Sequence, residues 1–312
     1  MKGLRLVCIA VGLVAFGTAL PAQANVVFTG TDVTIDFSLI SPGLPIVKGV
    51  HEVVFTGRAA INGRDVDGSG TISVGDRSRL VGGDVIATFL NSSGGIIPVP
   101  GLNSTFEATL VLRNWDSTTI AVAAGPPITI TETLDAGSVT GGTGLLDVRV
   151  DLSPDFVKTD AATWTDGTLA ATFFIQEGGS VFRPDIFDGT LDATLDLDSQ
   201  VAGFITSESP GVPFNAIVSS STADLDSDGN GLPDTPTPAN LLAQFPTFTP
   251  FEGNAYSNSP PGAGLPFDNV ADDDGSAQFG NKTQAPEPGS LLILGSGLVG
   301  LAGYGSLRRR QR

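Results

Sequence analysis

The sequence predicts an all-β ectodomain of the sandwich or jelly-roll type, and three observations carry that reading. Apolar and polar residues alternate with period two in run after run, while helical periodicity is missing between the two ends of the chain. Glycine and Asn/Asp pairs punctuate the runs at short intervals. The composition favours Asp, Thr, Gly and Val over Lys and Met, which suits an extracellular β protein better than a cytosolic enzyme. Short, evenly spaced strands with such turns pack as two sheets or a Greek key.

Taken in order, the first clean strand is Asp32-Val33-Thr34-Ile35-Asp36-Phe37, with every second residue apolar. Thr105 to Leu112, Ile128 to Thr133 and Leu146 to Leu152 repeat the pattern. In Leu191 to Leu197, Leu191, Ala193, Leu195 and Leu197 face one way and Asp192, Thr194 and Asp196 the other, giving one core face and one wet face. Turns are expected at Asn62-Gly63, Asp67-Gly68, Gly82-Gly83, Gly94-Gly95, Gly141-Gly142, Gly178-Gly179 and Asp188-Gly189. An echo runs through this region at a spacing of 84 residues. Ala87-Thr88-Phe89 returns as Ala171-Thr172-Phe173, Gly94-Gly95 as Gly178-Gly179, and Thr56-Gly57 as Thr140-Gly141. It reads either as a duplication of residues 53–113 into 137–198 or as the chance product of a strand-rich chain with few residue types.

The domain is expected to span residues 25–234. Beyond it Pro, Asn, Ser and Phe dominate, with Pro260-Pro261 and then Asp272-Asp273-Asp274. Residues 235–285 therefore read as an extended stalk, and the Asp triplet as a charged linker.

Residues 1–24 have the form of a secretory leader. Lys2 and Arg5 precede an apolar run from Leu6 to Leu20, and Ala22-Gln23-Ala24 supplies a small-x-small cleavage site. The sole cysteine, Cys8, leaves with the leader, so the mature fold is expected to have no disulfide. The whole chain carries a formal charge of −17. Ten of its sixteen basic residues and thirty-two of its thirty-three acids lie between Asn25 and Ala285, so the exported part stands at −22. Such a field repels nucleic acid and anionic lipid, keeps the protein dispersed and favours divalent cations.

The other end is more specific. Pro286-Glu287-Pro288 is followed by an uncharged, glycine-rich stretch of eighteen residues, 290–307, and then by Arg308, Arg309, Arg310 and Arg312. As a helix this stretch reaches about 27 Å at ~1.5 Å per residue, close to the ~30 Å hydrocarbon core. Arginines prefer the cytoplasmic side, which leaves the bulk of the chain outside. The three parts, in this order, resemble the PEP-CTERM sorting signal of bacteria that make extracellular polysaccharide. The resemblance covers the tail, 286–312. It implies recognition by a membrane-embedded exosortase, cleavage at or near the motif, transient anchoring by the C-terminal helix, and delivery to the cell surface or extracellular matrix.

The strongest candidate for a bound ion is Asp224-Leu225-Asp226-Ser227-Asp228-Gly229-Asn230-Gly231-Leu232-Pro233-Asp234. Oxygens at alternate positions of a glycine-bent loop converge on one hard cation. The stretch resembles a thrombospondin type 3 calcium repeat, which implies structural Ca2+ held by Asp226, Asp228, Asn230 and Asp234, with Asp224 opening the loop. An EF-hand register from Asp224 fails at its twelfth position, Thr235, where a bidentate Glu is required. Trp115 and Trp164 are the candidates for stacking on a sugar ring. His51, the sole histidine, has no nucleophile elbow and no second histidine beside it in sequence, and reads as structural.

These observations point first to a non-enzymatic surface or matrix protein associated with exopolysaccharide and biofilm. A carbohydrate-binding module using Trp115 or Trp164 is the alternative, and a polysaccharide-active hydrolase comes third. Nucleic acid is not an expected partner.

Overall fold

The computed structural model describes residues 26–69, 71–125, 129–138, 140–158, 160–183, 188–209, 215–223 and 269–284. Residues 29–281 form one compact unit; residues 1–28 with 282–312 form the other, described only at 26–28 and 282–284. The strands in chain order are β1 (Val26–Gly30), β2 (Val33–Asp36), β3 (Ile46–Val50), β4 (Glu52–Arg64), β5 (Arg77–Leu90), β6 (Ile96–Ile97) and β7 (Glu107–Ala123). They continue as β8 (Thr129–Leu134), β9 (Leu145–Asp151), β10 (Thr168–Arg183), β11 (Asp188–Gln200), β12 (Ile205–Ser207), β13 (Asn215–Ala223) and β14 (Asn269–Gln284). One helical turn, α1 (Ala162–Thr165), precedes β10.

All five runs that alternate in the sequence are strands, as β2, β7, β8, β9 and β11. The expected two-sheet packing is replaced by a closed barrel. β4 pairs with β5, β5 with β7, β10 with β11, β11 with β13, β13 with β14, and β14 returns to β4, all antiparallel. The position between β7 and β10 is shared end to end: β9 fills one half and β8 the other. The result is an eight-position up-and-down barrel in which each wall strand pairs on both sides, so closure removes the sheet edges a sandwich would leave.

Closure depends on β14. The stalk expected at 235–285 is corrected here, because its last part, 269–284, is a wall strand. Asp272-Asp273-Asp274 is likewise no linker: the three residues pair with Arg58, Gly57 and Thr56 on β4 and with Ala223, Thr222 and Ser221 on β13.

Directly paired residues share a face, so the register identifies the lining. Val53 and Phe55, Ile86 and Phe89, Leu110 and Leu112, Leu146 and Val148, Phe173 and Ile175, Ala193 and Leu195, Ala277 and Phe279 all join one buried cluster. An eight-stranded barrel is just wide enough for such side chains to fill it. One end is capped by a small sheet, β12–β2–β3. Val33, Ile35, Phe37, Val50, Phe204 and Ile205 join the same cluster. Phe37 packs against Phe106, Phe204 and Phe89 at ring separations of 5.1, 5.7 and 6.1 Å, in tilted or edge-on geometry. The Glu208 carboxylate ties the cap together by accepting from Gly49 N at 2.7 Å and Thr34 Oγ1 at 2.9 Å.

The 84-residue echo maps onto equivalent elements only in part: Ala87-Thr88-Phe89 and Ala171-Thr172-Phe173 both lie in strands, β5 and β10. Thr56-Gly57 lies in strand β4 while Thr140-Gly141 lies in a turn, and Gly94-Gly95 turns while Gly178-Gly179 runs through β10.

Candidate functional site

The barrel interior changes character along its axis. Away from the cap, Ser78 on β5, Ser117 on β7, Glu132 on β8 and Ser180 on β10 point inward and meet. Ser78 Oγ donates to Glu132 Oε1 at 2.8 Å, and Ser117 and Ser180 donate to Oε2 at 2.9 and 2.8 Å. Glu132 is buried with every visible demand of its carboxylate met by hydroxyls. Ile130 and Phe182, with Ile61 and Ile72 packed on them, close this end.

Between the serine cluster and the apolar half sit two more acids. Asp84 on β5 and Asp273 on β14 flank Gly57 of β4 in register, and both are buried. Gly57 is required there: a Cβ would fall 2.1 Å from Gly83 O and 2.4 Å from Asp84 Oδ1. Neither oxygen of Asp84 has a hydrogen-bond partner. Burial, and after it the charge of Asp273, pushes the Asp84 carboxyl well above the usual carboxylate range, so it favours the neutral acid. Two carboxyls flanking a small residue can share a proton. Two small cavities lie along the interior, one beside these acids and one beneath the cap. The one bordered by Glu132, Ser180, Trp115 and Asp273 holds about 40 Å³, and the one beneath the cap, bordered by Phe37, Phe173 and Phe279, about 30 Å³.

Both tryptophans that are candidates for sugar stacking are buried. Trp115, at 0 % exposure, lies in the lining, and its Nε1 donates to Leu145 O at 2.7 Å. Trp164, at 2 %, lies flat on the outer wall, where Gly83 leaves room; a Cβ on Gly83 would come within 2.1 Å of the ring. Its Nε1 donates to Val157 O at 2.9 Å, and Phe156 stacks on it at 6.1 Å. Stacking on a pyranose face requires an open ring, and neither has one. The reason is geometric: each sits where a strand faces a neighbouring backbone that lacks a side chain or presents a carbonyl.

His51 Nδ1 meets Asp32 Oδ1 at 3.0 Å, and among the described residues no serine hydroxyl bonds to its ring. Its ring lies against Gly30, where a Cβ would approach Cε1 to 2.3 Å, so it acts as a staple between the cap and the barrel wall. The acidic turn of Asp65, Asp67 and Asp76, which the sequence did not single out, is saturated by its own chain. Asp65 accepts from Gly68 N, Asp67 from Ser69 N and Ser73 Oγ, and Asp76 from Val66 N and Ser73 N, at 2.7–3.0 Å. The Ser69 hydrogen bonds, first among these, hold the Asp67 carboxyl below its ordinary value.

The expected calcium loop, Asp224, Asp226, Asp228, Asn230 and Asp234, lies outside the described residues, as do Pro286-Glu287-Pro288, the apolar stretch 290–307 and the terminal arginines. Among the described residues no helix is long and apolar enough to cross a membrane. Comparison with curated proteins and with solved structures finds no match for this chain. A comparison with family models does find one: residues 284–310 match the PEP-CTERM protein-sorting motif. The match begins where β14 ends, at Gln284, and takes in Pro286-Glu287-Pro288, the apolar stretch and Arg308 to Arg310. The C-terminal tail of this chain is therefore a PEP-CTERM sorting motif, which implies secretion and exosortase-mediated surface localisation.

Proposed function

We propose that the chain is a non-enzymatic structural protein of the cell surface or extracellular matrix, acting through the outside of its barrel on exopolysaccharide. The observation that carries this reading is a sorting motif placed directly after a barrel whose interior is filled by its own side chains. Cavities of about 40 and 30 Å³ hold a water or two, far below what a sugar or a cofactor needs. Burial of Trp115 and Trp164 argues against the carbohydrate-binding module that would use them. What remains is the outer surface, strongly acidic, on which divalent cations bridge to anionic polymer; the Asp224–Asp234 loop would add a structural Ca2+ to that surface.

The test is retention of the exported protein on its producer's exopolysaccharide, in calcium and then in chelator. Saturable retention that chelator abolishes supports the reading. Equal passage through the column in both conditions refutes it and leaves a protein partner. Sorting is tested separately: replacing Glu287 or deleting residues 289–312 should stop delivery to the surface, and unchanged delivery would sink the exosortase step.

A further inference from the structure

The outer wall carries a second group of acids beside the connection from β9 to β10, which lays Trp164 over the wall as a flap. Glu107 opens β7 and pairs directly with Asp151 at the end of β9, so the two side chains stand together on the outer face. Asp155 follows in the loop that leads to the flap, and one carboxylate oxygen from each of the three lies within 4.8 Å of the others. Two oxygens bound to a common Ca2+ at ~2.4 Å can stand at most about 4.8 Å apart, so all three carboxylates are within reach of one ion without movement of either strand.

An independent feature separates this cluster from the saturated turn at Asp65, Asp67 and Asp76. Glu107 is only 2 % exposed, and its Oε1 is buried with no hydrogen-bond partner. Its other oxygen accepts from Phe156 N at 3.1 Å, which holds the carboxylate in the cluster while Oε1 stays unmet. A buried carboxylate oxygen without a donor costs free energy unless something positive meets it. No basic side chain among the described residues forms an ion pair with Glu107, Asp151 or Asp155. Arg149, on the same face of β9, is turned away: its Nη1 donates to the carbonyls of Thr165 and Gly167 at 2.9 Å. Burial, and then the charges of Asp155 and Asp151, push the Glu107 carboxyl up, and Asp166 beside them is raised by burial and the same two neighbours. The site is short of positive charge.

We propose that Glu107, Asp151 and Asp155 form a Ca2+ site on the barrel wall, with Asp166 in the outer sphere of charge. Glu107 and Asp151 come from paired strands and fix two ligands rigidly. Asp155 comes from a loop held by Phe156 on Trp164 and by Ser153 N on Asp151 Oδ1 at 2.9 Å. Water completes the coordination on the exposed side. The ion pins the flap to the wall, which couples metal binding to the packing of Trp164. This site is separate from the Asp224–Asp234 loop and stands whether or not the protein binds exopolysaccharide.

The experiment is calorimetric titration of Ca2+ into the metal-stripped exported protein, alongside E107Q, D155N, D67N and D226N/D228N variants. The expected dissociation constant is about 0.1–1 mM, the range of extracellular calcium modules. E107Q and D155N should each weaken a saturable site at least tenfold, while D67N and D226N/D228N leave that site intact. E107Q keeps an acceptor for Phe156 N, and circular dichroism checks its fold; should it fail to fold, D155N, on an exposed loop residue, decides alone. Full Ca2+ affinity in folded D155N, no saturable binding in the wild type, or loss of all binding in D226N/D228N alone would each overturn the proposal.

Discussion

The two halves of the barrel interior solve the same packing problem with opposite chemistry. Under the cap, Phe37, Phe89, Phe106 and Phe204 meet edge to face among aliphatic side chains, and no charge intrudes. Toward the other end the lining carries Asp84, Asp273 and Glu132, with three serines turned inward. The first half derives its stability from apolar burial, which depends on volume and hardly on direction. The second depends on directed partners. Glu132 has them, and the Asp84 oxygens do not. Polarity inside a fold is therefore two cases, according to whether each group is met.

Cutting the apolar half should have the largest effect. Phe37→Ala removes the ring on which three others pack, and we expect a loss of about 3–5 kcal/mol in urea unfolding. A loss below about 1 kcal/mol would mean that the cap is not part of the cooperative core. Glu132→Ala comes next, since it leaves three inward hydroxyls without their acceptor; about 3 kcal/mol should be lost in the same assay.

Asp84 should respond with the opposite sign. Its carboxyl is raised in the fold above the ~3.9 of an unfolded chain. Between those two values the folded state holds a proton that the unfolded state has released, so stability falls as pH rises through that window. Asp84→Asn removes the titration and can donate to Asp273. It should stabilise the protein by about 1–2 kcal/mol at pH 7, with the gain vanishing near pH 4. A gain that grows on acidification would contradict the buried-acid account. The smallest effect belongs to Ser180→Ala, about 1 kcal/mol, because Glu132 keeps its other two donors. If Ser180→Ala costs as much as Glu132→Ala, the cluster behaves as one unit rather than as separable bonds.

The strands were legible where alternation was undisturbed, as in β2, β8 and β11. They were misread where the wall is covered on both sides. Gly82-Gly83 was expected to turn, yet it runs straight through β5, because Gly82 faces the lining against β4 and Gly83 gives its outer side to Trp164. Gly178-Gly179 in β10 is the same case: a Cβ on Gly178 would fall 2.4 Å from Asp192 O and 2.7 Å from Leu134 Cδ1. A glycine pair signals either freedom to turn or the lack of room for a side chain, and only the neighbouring strands distinguish the two. Trp115 and Trp164 are candidates for sugar stacking in the sequence, and only the neighbouring strands show that both rings are covered.

The destination of the protein was written in contiguous residues. The PEP-CTERM motif is read by machinery that meets the chain locally, so one stretch of sequence carries it. The all-β character also followed from local alternation. Closure did not. Whether strands end in two sheets or join in a ring depends on β14 finding both β4 and β13, a pairing between Asp273 and Gly57 across more than two hundred residues. The calcium site on the wall has the same origin. Glu107 and Asp151 are far apart in the chain and become ligands only because β7 and β9 pair in one register. Period and composition are properties of a segment; register and closure are properties of the whole barrel.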